Sequence, residues 1–320
     1  MDRVSKRLPG NLSAWLLLAP ALLALAVVIG YPVIRALVMS FEKDQARDPV
    51  TKLFVEGGNA GTSNYTYWLL QECPSRTGEM VPCPEGTLGS QFWLAVGVTL
   101  FFTLVTVALE IVIGFWMAVV MGKTFAGRAL LRAAVLIPWA IPTAVTAKLW
   151  QFMFDPNGII NSVFGLDILW TSDAWPARFA VIIADVWKTT PFMALLILAG
   201  LQMIPADVYE AARVDGASAR QRFLHITLPL VKPALVVAIL FRTMDALRMY
   251  DLPAILTSSN DATRTISMLV VQQISFGPNR GSALSTITFL MIAIIAFLLV
   301  KVLGANVVRT QEDQRKAGRR

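Results

Sequence analysis

The sequence predicts an all-α integral membrane protein with six transmembrane helices, and three observations carry that reading. Of 320 residues, 56% are hydrophobic and only 15% are charged, where a soluble domain holds about 25% charge. The apolar residues are collected into long runs, several of them near the ~20 residues that cross the hydrocarbon core as a helix. Lys and Arg gather in alternate connecting segments, the arrangement that orients a membrane protein. The formal net charge of +7 therefore reads as a topology signal and not as a nucleic-acid surface.

The expected spans are 13–40, 92–121, 129–154, 177–201, 231–250 and 283–304. The first begins like a signal peptide, with Arg3, Lys6 and Arg7 ahead of an apolar run and Ala24-Leu25-Ala26 as a cleavage-like site. Because the apolar run continues through Tyr31 and Pro32 to Met39, an uncleaved helix is expected. With the N-terminus inside, the cytoplasmic set is Arg3, Lys6, Arg7, Lys123, Arg128, Arg132, Arg213, Arg220, Arg222, Lys232, Lys301, Arg309, Arg315, Lys316, Arg319 and Arg320. The outside set is Lys43, Arg47, Lys52, Arg76, Arg178, Arg264 and Arg280. Sixteen against seven places both termini in the cytoplasm, as tails over 1–12 and 305–320.

That orientation puts residues 41–91 outside. The segment is rich in Gly, Pro, Thr and Asn and shows no sustained period, so an irregular cap or loop is expected. Cys73 and Cys83, the only cysteines, lie in it without a His or Cys at metal-ligand spacing. In an oxidising compartment they are expected to close a short loop as a disulfide, a local staple.

The five remaining spans over 92–304 are interrupted by a cytoplasmic segment at 205–233. Asp207 is placed as an N-cap, with Glu210 three residues on completing a capping box. A helix over 208–214 would stop at Gly216, a second would run over 217–226, and Leu228-Pro229 would break the chain before the next span. The product is a helix–Gly–helix elbow. A short amphipathic helix of this kind can seat in a partner's groove; Ala211 and Ala212 keep its surface small, and Gly216 permits a positive φ.

Glu210-Ala211-Ala212, Asp215-Gly216-Ala217, Phe223, Ile226, Leu228-Pro229 and Pro233 together resemble the EAA loop of ABC importer permeases. The flanks agree: WKTTPFMALLILAGLQMIP before the loop, PALVVAILFRTMDALRMYDLPAILT after it, LIPWAIPTAVTAKLWQFMF in span three and YPVIRALVMSF at the end of span one are similar to the larger membrane subunit of maltose-type sugar importers. The resemblance implies a type I ABC importer permease fold. It also implies that Glu210, Ala211, Ala212, Asp215, Gly216 and Ala217 couple the chain to an ATPase subunit. By the same resemblance Trp139, Thr143, Lys188, Thr189 and Phe192 line a sugar site near the bilayer midplane, with Arg242, Asp245 and Met249 on the facing side of span five. Span five departs from the maltose pattern, which has neutral amides where this chain has charges.

Arg242, Asp245, Arg248 and Asp251 recur at i,i+3 with alternating sign, so they can pair along a helix, contact cargo, or both. Glu110, in span two, could serve a proton-coupled transporter or face Lys148 or an Arg of a neighbouring helix, and it has no assigned role. An ATPase within the chain is excluded: Gly122-Lys123-Thr124 matches the end of a P-loop, but Met117 stands where its first glycine is required. The single histidine, His225, falls in the elbow, and without a convergent catalytic set the chain is read as non-catalytic. A secondary transporter would leave the elbow unexplained and usually shows internal repeats. The resemblance implies a second permease subunit, usually a different chain, two ATPase subunits that bind ATP and Mg²⁺, and an extracytoplasmic sugar-binding protein. No cofactor is expected on this chain. Its phrasing is most similar to trehalose or maltose-type permeases, with glycerol 3-phosphate as the alternative cargo.

Overall fold

The computed structural model describes residues 10–47, 54–55, 57–75, 79–258 and 260–304. The tail over 305–320, residues 1–9 of the other tail, and Lys52 and Arg76 lie outside the described residues, and part of the charge bias rests on them. The chain divides into two compact units, Met1–Pro84 with Val270–Ile287, and Glu85–Leu269 with Thr288–Arg320. By length and composition, Trp15–Met39, Gly89–Gly122, Ala174–Gln202, Ala219–Ala246 and Pro278–Val302 can each cross a membrane.

In the first unit, α1 (Gly10–Leu25), a π-turn (Ala26–Gly30) and α2 (Tyr31–Met39) follow one another without interruption. The π-turn sits directly before Pro32, whose ring displaces the carbonyl one turn back and whose nitrogen has no proton to donate. The described residues within 41–91 form more regular structure than their composition suggests. They hold two antiparallel ladders, β1 (Ala46–Arg47) with β2 (Phe54–Val55) and β3 (Glu72–Pro74) with β4 (Met80–Pro82), and helix α3 (Ser63–Leu69) between them. Strands of two or three residues are too short to show a period of two, which is why the segment reads as irregular. Cys73 and Cys83 are joined as a disulfide, with Cα atoms 4.8 Å apart, across the second ladder. Helix α3 buries Trp68 completely, and the Trp68 indole donates to the Arg280 carbonyl at 3.0 Å. The Asp44 carboxylate accepts from the backbone N–H groups of Asn279 (2.7 Å) and Arg280 (3.3 Å). It thereby satisfies donors at the start of the helix Pro278–Leu299, which the helix leaves without partners.

In the second unit, α4 (Phe92–Gly122) packs along α8 (Ala174–Gln202), and Gly114 sets their separation: a Cβ there would stand 3.1 Å from Met193 Cγ. Small residues at such crossings let helices approach closely in lipid. The third expected span is not one helix. It is α5 (Arg128–Ala140) and α6 (Thr143–Met153), bent by 91° across Ile141-Pro142. A residue before proline is driven out of the helical region, and Ile141 is extended with ψ of 133°. The short helix α7 (Ile159–Phe164) leads on to α8.

The fifth span also differs from the expectation. Helix α9 (Ala206–Val214) forms the first arm of the elbow; α10 (Ala219–Arg222), a π-turn (Phe223–Thr227) and α11 (Leu228–Ala246) then form one continuous rod. Leu228-Pro229 does not break it, because the π-turn absorbs the proline: the Leu228 N–H reaches back to the Phe223 carbonyl. The rod stops at Ala246, short of the expected 250, and the chain resumes as α12 (Asp251–Leu256) and α13 (Ile266–Phe276). Helix α14 (Pro278–Leu299) runs into a terminal π-turn (Val300–Gly304).

Candidate functional site

The second unit holds an ionic cluster where α4, α8 and α11 meet. Arg242, 2% exposed, donates from Nε to Glu110 Oε2 at 2.6 Å, from Nη1 to Asp245 Oδ2 at 3.1 Å, and from Nη2 to Asp185 Oδ2. Glu110 is fully buried and Asp185 nearly so, while the Asp245 carboxylate is 68% exposed. Each nitrogen of the guanidinium is thus engaged by a different carboxylate. In a low-dielectric setting charged groups persist only when paired and hydrogen-bonded, and this cluster meets both conditions. Thr189 Oγ1 lies 2.7 Å from Glu110 Oε1 and 2.6 Å from the Asp185 carbonyl, which fixes the second oxygen of Glu110.

Beside the cluster is a cavity of ≈ 140 Å³ lined by Thr143, Asp185, Lys188, Thr189, Arg242, Asp245, Arg248, Met249, Tyr250, Asp251 and Leu252. Six residues expected at the site, Thr143, Lys188, Thr189, Arg242, Asp245 and Met249, therefore share one wall-to-wall space. Lys188 Nζ donates to the Ile141 carbonyl at 2.5 Å. That oxygen is freed by the break in span three, and a cation is favourable at the carbonyl end of a helix.

Trp139 and Phe192 do not line this cavity. Their rings stack on each other, centroids 5.7 Å apart at 16°, and Trp139 is 48% exposed. The reason is the 91° bend: Trp139 lies in the last turn of α5 and Thr143 opens α6, so the two are not successive turns of one helix. The expected ladder along span five is also shortened. Arg242 and Asp245 pair on α11, but Arg248 lies past its end and donates to the Met244 carbonyl, and Asp251 begins α12. Lys148 is turned to Gln151 at 2.8 Å, so the partner of Glu110 is Arg242.

Glu110 is the residue that sequence reasoning left without a role, and its sharing of Arg242 with Asp185 went unseen. The signal was present: two acids inside apolar spans require cations at the same depth, and Arg242 was the cation available on a third helix.

The elbow presents α9 at the surface, with Glu210, Ala211, Asp215 and Gly216 exposed and Val214 at 88% exposure. Gly216 has φ of +76°, and the Ala217 N–H closes back on the Ala212 carbonyl at 2.9 Å, a glycine-terminated helix end. Pro205, not Asp207, occupies the N-cap, with no side-chain cap. Proline presets the extended entry, and Asp207 becomes a first-turn acid, still favourable at the helix N-terminus. The capping box is instead on the second arm, where Ser218 and Gln221 bond reciprocally at 2.8 and 3.3 Å.

Residues 110–315 match the family model described as binding-protein-dependent transport system inner membrane component. The chain is 37% identical over 307 residues to a trehalose transport system permease protein of Mycobacterium tuberculosis, covering 95% of this chain and 92% of that one. It is 45% identical over 220 residues to a trehalose/maltose transport system permease protein of Thermococcus litoralis, covering 66% and 75% respectively. Among solved structures it is similar to a chain of a bacterial ABC transporter involved in the import of the acidic polysaccharide alginate, with TM-score 0.71, 21% identity, and coverage of 93% and 96%. A second structure of the alginate transporter contains a pentasaccharide-bound periplasmic protein and gives TM-score 0.70 at 20% identity, over 94% and 96% of the two chains.

Proposed function

The chain belongs to the family of binding-protein-dependent transport system inner membrane components, and from that premise we propose that it forms half of an ATP-driven import path for trehalose or a maltose-type α-glucoside. The observation that carries the cargo class is the state of the cations around the cavity. Arg242 directs its nitrogens to Glu110, Asp185 and Asp245, and Lys188 donates to the Ile141 carbonyl. Arg242 is fully engaged by carboxylates and Arg248 is turned to the Met244 carbonyl through Nε, while the exposed Asp245 carboxylate offers acceptor oxygens only. Acceptors at the wall suit a solute rich in hydroxyl donors, and the carboxylates repel an anion. The two relatives with trehalose in their names favour the same class.

In this reading Thr143, Lys188, Thr189, Asp245 and Met249 contact the sugar, and Arg242 holds Asp245 in place. The stacked rings of Trp139 and Phe192 form an apolar platform outside the cavity, on the route to it. Glu210, Ala211, Ala212, Asp215, Gly216 and Ala217 seat in a groove of an ATPase subunit and carry its closure to the spans. The chain performs no chemistry; ATP and Mg²⁺ bind two ATPase subunits. A second, different permease completes the path, an extracytoplasmic sugar-binding protein delivers the cargo, and both termini face the cytoplasm of the bacterial cell.

The test is uptake of labelled trehalose, maltose and glycerol 3-phosphate in a strain lacking this gene, with and without its restoration. Loss and rescue for one disaccharide is the expected result. Rescue for glycerol 3-phosphate alone overturns the cargo class, and unchanged uptake of all three removes the α-glucoside assignment.

A further inference from the structure

A second cavity, of ≈ 500 Å³, lies behind the elbow at the ends of α4 and α8. Its walls are of two kinds. Val119, Leu198, Leu201 and Phe223 form an apolar floor, while Lys123, Arg222 and the Tyr209 phenol stand at the rim with Gln202. Val119, Leu198 and Leu201 lie on membrane-spanning helices close to their last residues, Gly122 and Gln202, and Phe223 lies near the start of the rod, so the cavity sits at the level where headgroups meet acyl chains.

The rim is cationic and under-used. Arg222 Nη1 donates to the Ala217 carbonyl at 2.5 Å; among the described residues its other nitrogens and the Lys123 ammonium have no protein acceptor. The C-terminus of α4 would ordinarily repel an anion, but Arg132 covers it, donating from Nε and Nη2 to the Met121 carbonyl at 3.2 and 2.7 Å. The Tyr209 hydroxyl, 3.0 Å from Thr227 Oγ1, adds a hydrogen-bonding group on the same rim. Two cations and a phenol above an apolar floor match an anion carried on an apolar body.

We propose that this cavity binds the phosphate headgroup of an anionic phospholipid, with Lys123 and Arg222 on the phosphate and the glycerol and upper acyl chain on Leu198 and Leu201. The occupant touches both arms of the elbow, through Tyr209 on α9 and Arg222 and Phe223 on the rod, as well as the ends of α4 and α8. It therefore ties the elbow to the spans that hold the ionic cluster. A free phosphate would satisfy the rim but leave the apolar floor uncovered, which is why the lipid is the assigned source.

The test uses the complete importer complex carrying wild-type chain, Lys123→Gln, Lys123→Arg or Arg220→Gln, in nanodiscs of phosphatidylcholine with and without phosphatidylglycerol. Lys123 bonds no described protein side chain, so its loss leaves the fold intact. Lipid retained on release into detergent is counted by native mass spectrometry. Wild type and Lys123→Arg should retain one phosphatidylglycerol that Lys123→Gln binds about fivefold more weakly, the effect of one basic side chain at an anionic headgroup. Arg220→Gln, on the elbow but off the cavity, should match wild type. Equal retention in Lys123→Gln overturns the site, and an equal loss in Arg220→Gln shows diffuse surface attraction in its place. Displacement of the retained lipid by millimolar inorganic phosphate overturns the lipid as the ligand; indifference to it supports the lipid.

Discussion

Replacing Arg242 with glutamine isolates the energetics of the ionic cluster. The side chain is 2% exposed and engages Glu110, Asp185 and Asp245. Asp245 is 68% exposed and can be solvated after the change, so its share is small. Glu110 and Asp185 are not so placed, and two carboxylates are left in a protein interior without their cation. Removing one partner of a buried ion pair costs roughly 3–5 kcal/mol, which corresponds to a drop on the order of 10 °C in the unfolding midpoint. The assay is a thermal-shift measurement on the detergent-solubilised complex, with the assembled yield from membranes as a second readout. The triple variant Glu110→Gln, Asp185→Asn, Arg242→Gln exchanges charged for neutral hydrogen-bonding groups of similar shape and should recover at least half of the loss. A single variant as stable as wild type would refute the reasoning, as would a triple variant no better than the single one.

Three further outcomes are expected. Gly216→Pro should reach the membrane yet lose transport-coupled ATP hydrolysis, because proline fixes φ near about −65° where the elbow requires +76°; full coupled activity would remove the elbow from the coupling path. Asp245→Asn should raise the KM for sugar by about tenfold, the effect of losing a charged hydrogen-bond acceptor, with normal assembly; unchanged uptake kinetics would take Asp245 off the cavity's binding surface. Cys73→Ser should loosen the β3–β4 hairpin by about 2–3 kcal/mol, seen as faster protease cleavage within 71–84 while the rest of the chain resists as before.

Legibility of this chain in its sequence followed the length over which a signal was repeated. Spans two and four are apolar over about thirty positions, and their helices begin and end within a few residues of the expected limits. The turn at Gly216 was legible because one residue type satisfies the geometry there. The bend at Ile141-Pro142 was hidden by the same hydrophobicity that marked the span, since an apolar run continues unchanged through a 91° corner. For that reason Trp139 and Thr143 stand on different helices and not one turn apart on the same one. The ionic cluster was harder still: Glu110 and Arg242 are 132 positions apart and Asp185 and Arg242 are 57 apart, and no local pattern joins them. Arg242 looked like one rung of a ladder within its own helix, whereas two of its three carboxylate partners come from other helices. In the segment 41–91 the cysteines announced their pairing, but strands of two or three residues carry too few positions for a pattern to emerge.

The rod from Ala219 to Ala246 also sets a rule about which sequences can descend from this one. The elbow's second arm and the Arg242–Asp245 pair are phased on a single crankshaft, about 40 Å long at 1.5 Å per residue. Inserting or deleting one residue between Leu228 and Arg242 would turn the pair by about 100° and swing the guanidinium away from Glu110 and Asp185. Point substitutions at lining residues outside the ionic cluster can retune the cavity, but changes of length cannot be absorbed there. The turn at Phe223–Thr227 is the exception. It already carries one residue more than an α-helical turn, so a single deletion within it is the one change in length that leaves the far end of the shaft in register.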